Sequence, residues 1–414
     1  MRDKMLTLSG TNTIGKEEIA AAHRVLKTGV LSDFVGAPGE KFYGGPEVRA
    51  FESEWASYFG VRHAISVNSW TSGLIAILGS LQLEPGDEVI TSPWTMCATA
   101  TSVLQWNLIP VFADIDPISF NISVDSIKSV ISERTKAVLA VDIFGKPCDY
   151  RGIKSFCDEN NLFFVTDSAQ APGLSSGSGY IGTQSHIGGF SLNYHKHIHT
   201  GEGGMIVTND DKLAKRCALI RNHAEACMSD LDSDCSLINM VGYNFRMGEI
   251  EAAIGREQLK KLNSKLTERQ HIAKKLLIGL SDLPSLRLTE TSTVKDNAFY
   301  IFPLVLVGRA LEIGRDKICS DLIALGVPLI EGYENIHRLP IFERKIAFGK
   351  NHIPWSLSER NADIEYGMGT CPNAEELHDI SFIGLEICAF NFTDSNIEMI
   401  IEIFKSVWQR YDLV

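Results

Sequence analysis

The run KAVLAVDIFGKPCDYRGIKSFCDENNLFFVTD, residues 136–167, decides the fold. Two short apolar runs, KAVLAVDIFG and LFFVTD, are rich in Val, Ile and Phe and are bounded by Gly, Pro and Asp, which is the signature of strands. Between them YRGIKSFCDENN reads as a helix. A strand, a helix and a strand within about 30 residues make a βαβ unit, whose two strands lie parallel.

Working outward, the pattern repeats. HAISVN (63–68), DEVITSP (87–93) and IPVFADID (109–116) read as strands, alternating with helical TSGLIAILGSLQ (71–82), TMCATATSVLQW (95–106) and VDSIKSVISER (124–134). GGMIVTND (203–210) reads as one more strand. Such alternation predicts an α/β fold with a mostly parallel central sheet wrapped by helices, since nearly unbroken apolar strands need cover on both faces.

The texture changes after that. Residues 248–280 form a long amphipathic helical stretch whose mixed charges mark a solvated face, and it reads as a connector. NAFYIFPLVLVG (297–308) reads as a strand, and DKICSDLIALG (316–326) and NIEMIIEIFKSVWQRY (396–411) as helices. We therefore expect a large domain over 1–265, N-terminal segment included, and a smaller α+β domain over 266–414.

Composition excludes several classes of function. The 414 residues are 44% hydrophobic and 22% charged, which suits a globular protein with a large core. With 39 basic and 51 acidic residues the formal charge is −12, so nucleic acid and anionic membrane surfaces are poor partners. Nine scattered cysteines with no CxxC pair point to reduced thiols and a cytoplasmic protein. No apolar run approaches a membrane span of about 20 residues.

Ligands of open α/β sheets bind at the carboxyl ends of strands, and three unusual sequences fall there. Ser69-Trp70-Thr71-Ser72-Gly73 opens a helix, so hydroxyls and free N–H groups can seat a phosphate; an ordinary Ser/Thr cap would look the same. Asp167 ends a buried strand, where a carboxylate needs a partner. In NYHKHIHTGEGG (193–204), Lys196 sits on an irregular glycine-rich turn. A lysine for an aldehyde, an acid for a ring nitrogen and donors for a phosphate together read as a site for pyridoxal 5′-phosphate. The flanking His195, His197 and His199 alternate, so an extended segment would point them one way. With no Cys or acid cluster nearby to complete a set, metal binding is not expected.

These motifs, with TIGKEEIAAAHRVLKTGVLS, GGPEVRAFESEWASYFGV, GYNFRMGEIEAAIGREQL and CPNAEEL, resemble the DegT/DnrJ/StrS sugar aminotransferases, a family of fold-type I pyridoxal-phosphate-dependent transferases, over nearly the whole chain. The resemblance implies that Lys196 carries the cofactor aldehyde and Asp167 pairs with the ring nitrogen. It places Gln170 beside the ring hydroxyl, and Ser191, Trp70 and Thr71 at the phosphate. Met96 stands where an aromatic residue often covers the ring, with Trp94 as an alternative. Asn244 resembles a residue that reaches the phosphate of the neighbouring subunit, which implies a homodimer with shared active sites. His195, His199, Tyr333 and His337 are candidates for the substrate side, and Arg221, Arg246 or Arg338 for a carboxylate or diphosphate. A dehydratase branch has histidine at the lysine position, so Lys196 favours transamination. The implied reaction is ping-pong transfer of an amino group from L-glutamate to a nucleotide-linked keto-sugar. The alternatives are the related dehydration and a non-catalytic, cofactor-holding regulator. Asp142, where histidine is common, and a long segment at SDFVGAPGEKFYGGPEV depart from the pattern.

Overall fold

The computed structural model describes residues 5–177, 179–224, 237–289 and 294–414. The strands are β1 (His63–Val67), β2 (Glu88–Thr91), β3 (Ile109–Phe112), β4 (Thr135–Val141), β5 (Phe163–Asp167), the two-residue strands β6 (Ser175–Ser176) and β7 (Gly179–Tyr180), β8 (Ile187–Ser191) and β9 (Gly204–Thr208). Seven of them form one sheet in the order β1-β9-β8-β5-β4-β2-β3, while β6 and β7 pair only with each other. All neighbours in the large sheet are parallel except those of β9, which runs against both β1 and β8. The other six strands therefore end on a single rim, and the reversed β9 begins there.

Eight helices accompany this region: α1 (Lys16–Thr28), α2 (Pro46–Phe59), α3 (Trp70–Ser80), α4 (Ala98–Leu104), α5 (Val124–Val130), α6 (Tyr150–Glu159), α7 (Asp211–Arg221) and α8 (Glu249–Leu280). Their starts are written locally. Ser69 accepts the Ser72 N–H, Ser123 the Ser126 N–H, Asp149 the Gly152 N–H, and Asp210 the N–H groups of Lys212 and Leu213. Each side chain satisfies a donor that the first helical turn leaves open. Between them the helices cover both faces, so β2, β3, β8 and β9 are buried at every residue.

A second sheet, wholly antiparallel, has the order β10 (Leu286–Leu288), β11 (Phe302–Leu306), β13 (Phe382–Leu385), β12 (Leu329–Glu331). At 32 residues α8 is about 48 Å long. Ala252, Leu259 and Leu262 pack under the large sheet, whereas Ile272, Leu276 and Leu280 join the core of the small one. Residue 265 lies inside this helix. The chain start is bonded to the small sheet's surroundings: Leu6 N–H donates to the Leu325 carbonyl, Thr11 N–H to that of Ala389, and Asn391 N–H to that of Ser9, each at 2.9 Å. Seven cysteines are free; Cys227 and Cys235 lie outside the described residues.

Candidate active site

At the rim lies a cavity of about 150 Å³. The turn before α3, the segment 95–99 after β2, the end of β5 and the 191–202 segment after β8 all reach it. Asp167, Lys196, Gln170, Ser191, Trp70, Thr71, Met96 and His195 line it, so eight of the residues singled out in the sequence meet in one place.

Asp167 is 4% exposed and its carboxylate is gripped from three sides. The Trp70 indole donates to Oδ1 at 2.7 Å, the Thr99 hydroxyl to Oδ2 at 2.8 Å, and the Ala169 N–H to Oδ1 at 3.2 Å. Thr99 in turn shares a 2.7 Å hydrogen bond with Thr95. A carboxylate has about four acceptor positions, so Oδ2 retains capacity for one further donor. Trp70 reaches the acid because two neighbouring strands are thin. A Cβ at Gly189 would lie 2.5 Å from the indole, and one at Gly204 would lie 2.9 Å from the Trp70 backbone. The Trp70 side chain thus holds Asp167.

Lys196 is partly exposed as a residue, yet desolvation of its amine lowers its pKa to about 8, with Asp167 and Cys388 pulling the other way. Its Nζ sits 4.3 Å from the centroid of the Tyr300 ring, a cation–π contact. The Tyr300 N–H donates to the Phe144 carbonyl at 2.9 Å, which ties this residue, just ahead of β11, to the segment that follows β4.

The three histidines do not point one way, because the segment turns. His197 is buried and its Nε2 bonds the Ala298 carbonyl at 2.8 Å, two residues before Tyr300. Nδ1 of His199 accepts the Gly201 N–H at 3.2 Å. Only His195 faces the cavity, and burial pushes its pKa down to about 4. Among the described residues no group of three or more His, Cys, Asp or Glu could hold a metal.

The remaining candidates scatter. Tyr333 touches the site through its hydroxyl, 3.3 Å from Gln170 Nε2, while Gln170 Oε1 accepts the Phe144 N–H at 2.6 Å. His337 is fully buried and pairs with Glu375 at 3.0 Å, a structural role away from the cavity. Trp94 is core, donating to Asn335 at 2.9 Å, which leaves the cavity edge to the exposed Met96. Arg221 is buried against Glu52, Arg338 pairs with Asp379, and Arg246 bonds Asn244; none lines the cavity. Asn244 is exposed and outside the cavity of its own chain. Thr95, Thr99 and Tyr300 escaped the sequence reading. A hydroxyl or a ring in a helical or strand-like run carries no signal of what it will face.

The donor set suits pyridoxal phosphate on the structure's own terms. There is an acid with a spare acceptor position, an amine that a low dielectric moves toward neutrality, and hydroxyls of Ser69, Thr71 and Ser191 beside the N-terminus of an eleven-residue helix. A mostly parallel sheet with an antiparallel satellite and a lysine–aspartate cavity at its carboxyl rim defines an α/β transferase of the pyridoxal-phosphate type. The chain belongs to the DegT/DnrJ/EryC1/StrS aminotransferase family, which matches residues 14–372, and it is an aminotransferase. It is 30% identical over 377 residues to the spore coat polysaccharide biosynthesis protein SpsC of Bacillus subtilis, covering 89% of this chain and 93% of that one. It is 34% identical over 293 residues to the GDP-perosamine synthase of Caulobacter vibrioides, covering 70% and 77%. The solved aminotransferase from Psychrobacter cryohalolentis superposes with a TM-score of 0.81 at 27% identity, covering 98% of this chain and all of that one.

Proposed function

We propose that the protein is a cytoplasmic, homodimeric, pyridoxal-phosphate-dependent sugar aminotransferase that moves the amino group of L-glutamate to a nucleotide-linked keto-sugar by a ping-pong route. The observation that carries the reading is the pairing of Asp167, held by Trp70 and Thr99, with the partly desolvated amine of Lys196 across one small cavity. Relatives named for GDP-perosamine synthesis and spore coat polysaccharide support the sugar. Among the described residues no helix is long and apolar enough to cross a membrane.

Asp167 would hold the ring nitrogen and keep it protonated. Ser69, Thr71, Ser191 and the first turn of α3 would hold the phosphate, and Lys196 the aldehyde. When bound, the cofactor draws the electron pair of the donor Cα–H bond into its ring. Lys196 would take the Cα proton on Nζ and give it back on the far side of the donor nitrogen, two bonds along. An amine with a pKa of about 8 suits this shuttle, because both protonation states are accessible near neutrality. Exposed Asn244, away from its own cavity, supports a role in the neighbouring subunit's phosphate site, and with it a C₂ dimer.

Purified protein given the cofactor should be yellow, and L-glutamate should shift its visible spectrum. Lys196→Ala should lose the visible band and all turnover. A band that survives in that variant would move the aldehyde to another lysine, and a colourless wild type in excess cofactor would end the proposal.

A further inference from the structure

Beside the Asp167–Lys196 cavity lies a second chamber of about 430 Å³, and His195 lines both. Its walls come from the chain start (Thr11), the lysine loop (Tyr194, His195) and the small domain (Tyr300, Glu386, Cys388). The ring of Tyr300, 4.3 Å from the Lys196 Nζ, is the partition between amine and chamber.

The charge in this chamber is one-sided. Glu386 is half-buried, its side chain has no hydrogen bond or ion pair among the described residues, and burial alone raises its pKa. Neither arginine nor lysine lines the chamber, and desolvation holds His195 neutral. A half-exposed acid with no protein partner keeps its acceptor oxygens open to a ligand in the cavity.

A ping-pong aminotransferase must receive two different molecules in one site, an amino acid with a distal carboxylate and a nucleotide-linked sugar whose ring, unlike its diphosphate, is uncharged and rich in hydroxyls. A carboxylate of the donor entering this chamber would meet the like charge of Glu386 on its wall, with the cations Arg269 and Lys196 set behind Cys388 and Tyr300 and not in the lining. A pair of ring hydroxyls would meet two carboxyl oxygens, flanked by the Tyr194, Tyr300 and Thr11 side chains. We propose that Glu386 is the specificity-determining residue of an acceptor chamber. It accepts hydrogen bonds from hydroxyls of the keto-sugar ring and keeps the donor's distal carboxylate out. This inference rests on the aminotransferase reading above and adds to it which wall distinguishes the two substrates.

The test uses the full-length holoenzyme and separates the half-reactions. The donor half is followed by the visible spectrum with L-glutamate, and the acceptor half by amino-sugar formation from a panel of GDP- and dTDP-linked 4-keto-6-deoxysugars. In Glu386→Ala the acceptor KM should rise roughly tenfold, the loss expected for a hydrogen bond to a charged group, while the KM for L-glutamate falls. Glu386→Gln, which keeps shape and one acceptor oxygen, should raise the acceptor KM less and lower the glutamate KM similarly. A general packing defect would move both constants upward together. Two KM values that rise together, or an acceptor KM that does not move, would overturn the role of Glu386 and leave the aminotransferase reading intact. A wild type that responds to no amino acid would overturn that reading itself. A wild type that takes glutamate but none of the sugars would refute the nucleotide-sugar acceptor, and the chamber assignment with it.

Discussion

Two aspartates end adjacent strands and meet opposite fates. Val141 pairs in register with Asp167, so Asp142 and Asp167 close β4 and β5 one residue apart on the same rim. Both are buried and both carboxylates accept three hydrogen bonds. Asp142 takes them from the Cys148 N–H at 2.9 Å, the Tyr150 hydroxyl at 2.7 Å and the Ser168 hydroxyl at 2.6 Å, and lines no described cavity. Asp167 is held as firmly but keeps one edge on the space that Lys196 also faces. Burial at a strand end does not make an acid functional. An open edge and a cation beyond it do.

The sharpest way to break this comparison is to remove the charge on the open side. Asp167→Asn keeps the shape and can still accept from Trp70, but it can no longer hold a ring nitrogen protonated. We expect turnover to fall by roughly 10²–10³-fold, as when a preorganised charged partner of the reacting group is lost, with little change in melting temperature. Comparable turnover would mean that Asp167 is as structural as Asp142. Next in size is the holder. Thr99→Val deletes one hydrogen bond to Oδ2 without changing shape, and turnover should drop about tenfold. An unchanged rate would show that the Trp70 indole and the Ala169 N–H fix the carboxylate without Thr99.

A smaller effect belongs to the ring on the far side of the amine. Tyr300→Leu removes the face that stabilises charged Nζ, so the pH midpoint of cofactor capture by Lys196 should shift below that of wild type. Turnover should change by a few-fold, matching a cation–π contact of about 1 kcal/mol. Tyr300→Phe keeps the face and should restore the midpoint. A shift in both variants would assign the effect to the hydroxyl instead.

How far the sequence could be read follows from the range over which each feature is determined. The βαβ series was legible because strand and helix periodicities are local, as in 136–167. Lys196 and Asp167 stood out because a lysine before GEGG and an acid ending LFFVTD are unusual in their own neighbourhoods. The indole–carboxylate bond was not legible: it needs Gly189 and Gly204 to leave room on strands that enter far downstream of Trp70. The wish to align His195, His197 and His199 assumed extended backbone, whereas the segment turns and sends each ring to a different partner. His337 read as a pocket residue because nothing near it in sequence announces Glu375, 38 positions away. Tyr300 precedes β11 and Glu386 follows β13, and only the packing of these second-sheet segments against the lysine loop brings them to the site.

The closed aspartate supplies the last and smallest effect on catalysis, and a distinct effect on stability. Burial raises the Asp142 pKa to about 6, against about 3.9 for an unfolded aspartate, because three neutral donors do not offset the loss of water. Between those values the folded chain binds more protons than the unfolded one. Stability therefore falls as pH rises from about 4 to about 6, and the penalty, on the order of 3 kcal/mol, is complete above pH 6. In Asp142→Asn the amide oxygen can still accept from Cys148, and the amide N–H can donate to the hydroxyls of Tyr150 and Ser168. Turnover should stay within about twofold of wild type. Urea midpoints measured from pH 4.5 to 7.5 should diverge, the variant gaining on the wild type up to pH 6 and running parallel above it. Midpoints that run parallel across the whole range would mean that burial does not raise the Asp142 pKa, and would remove its link to stability.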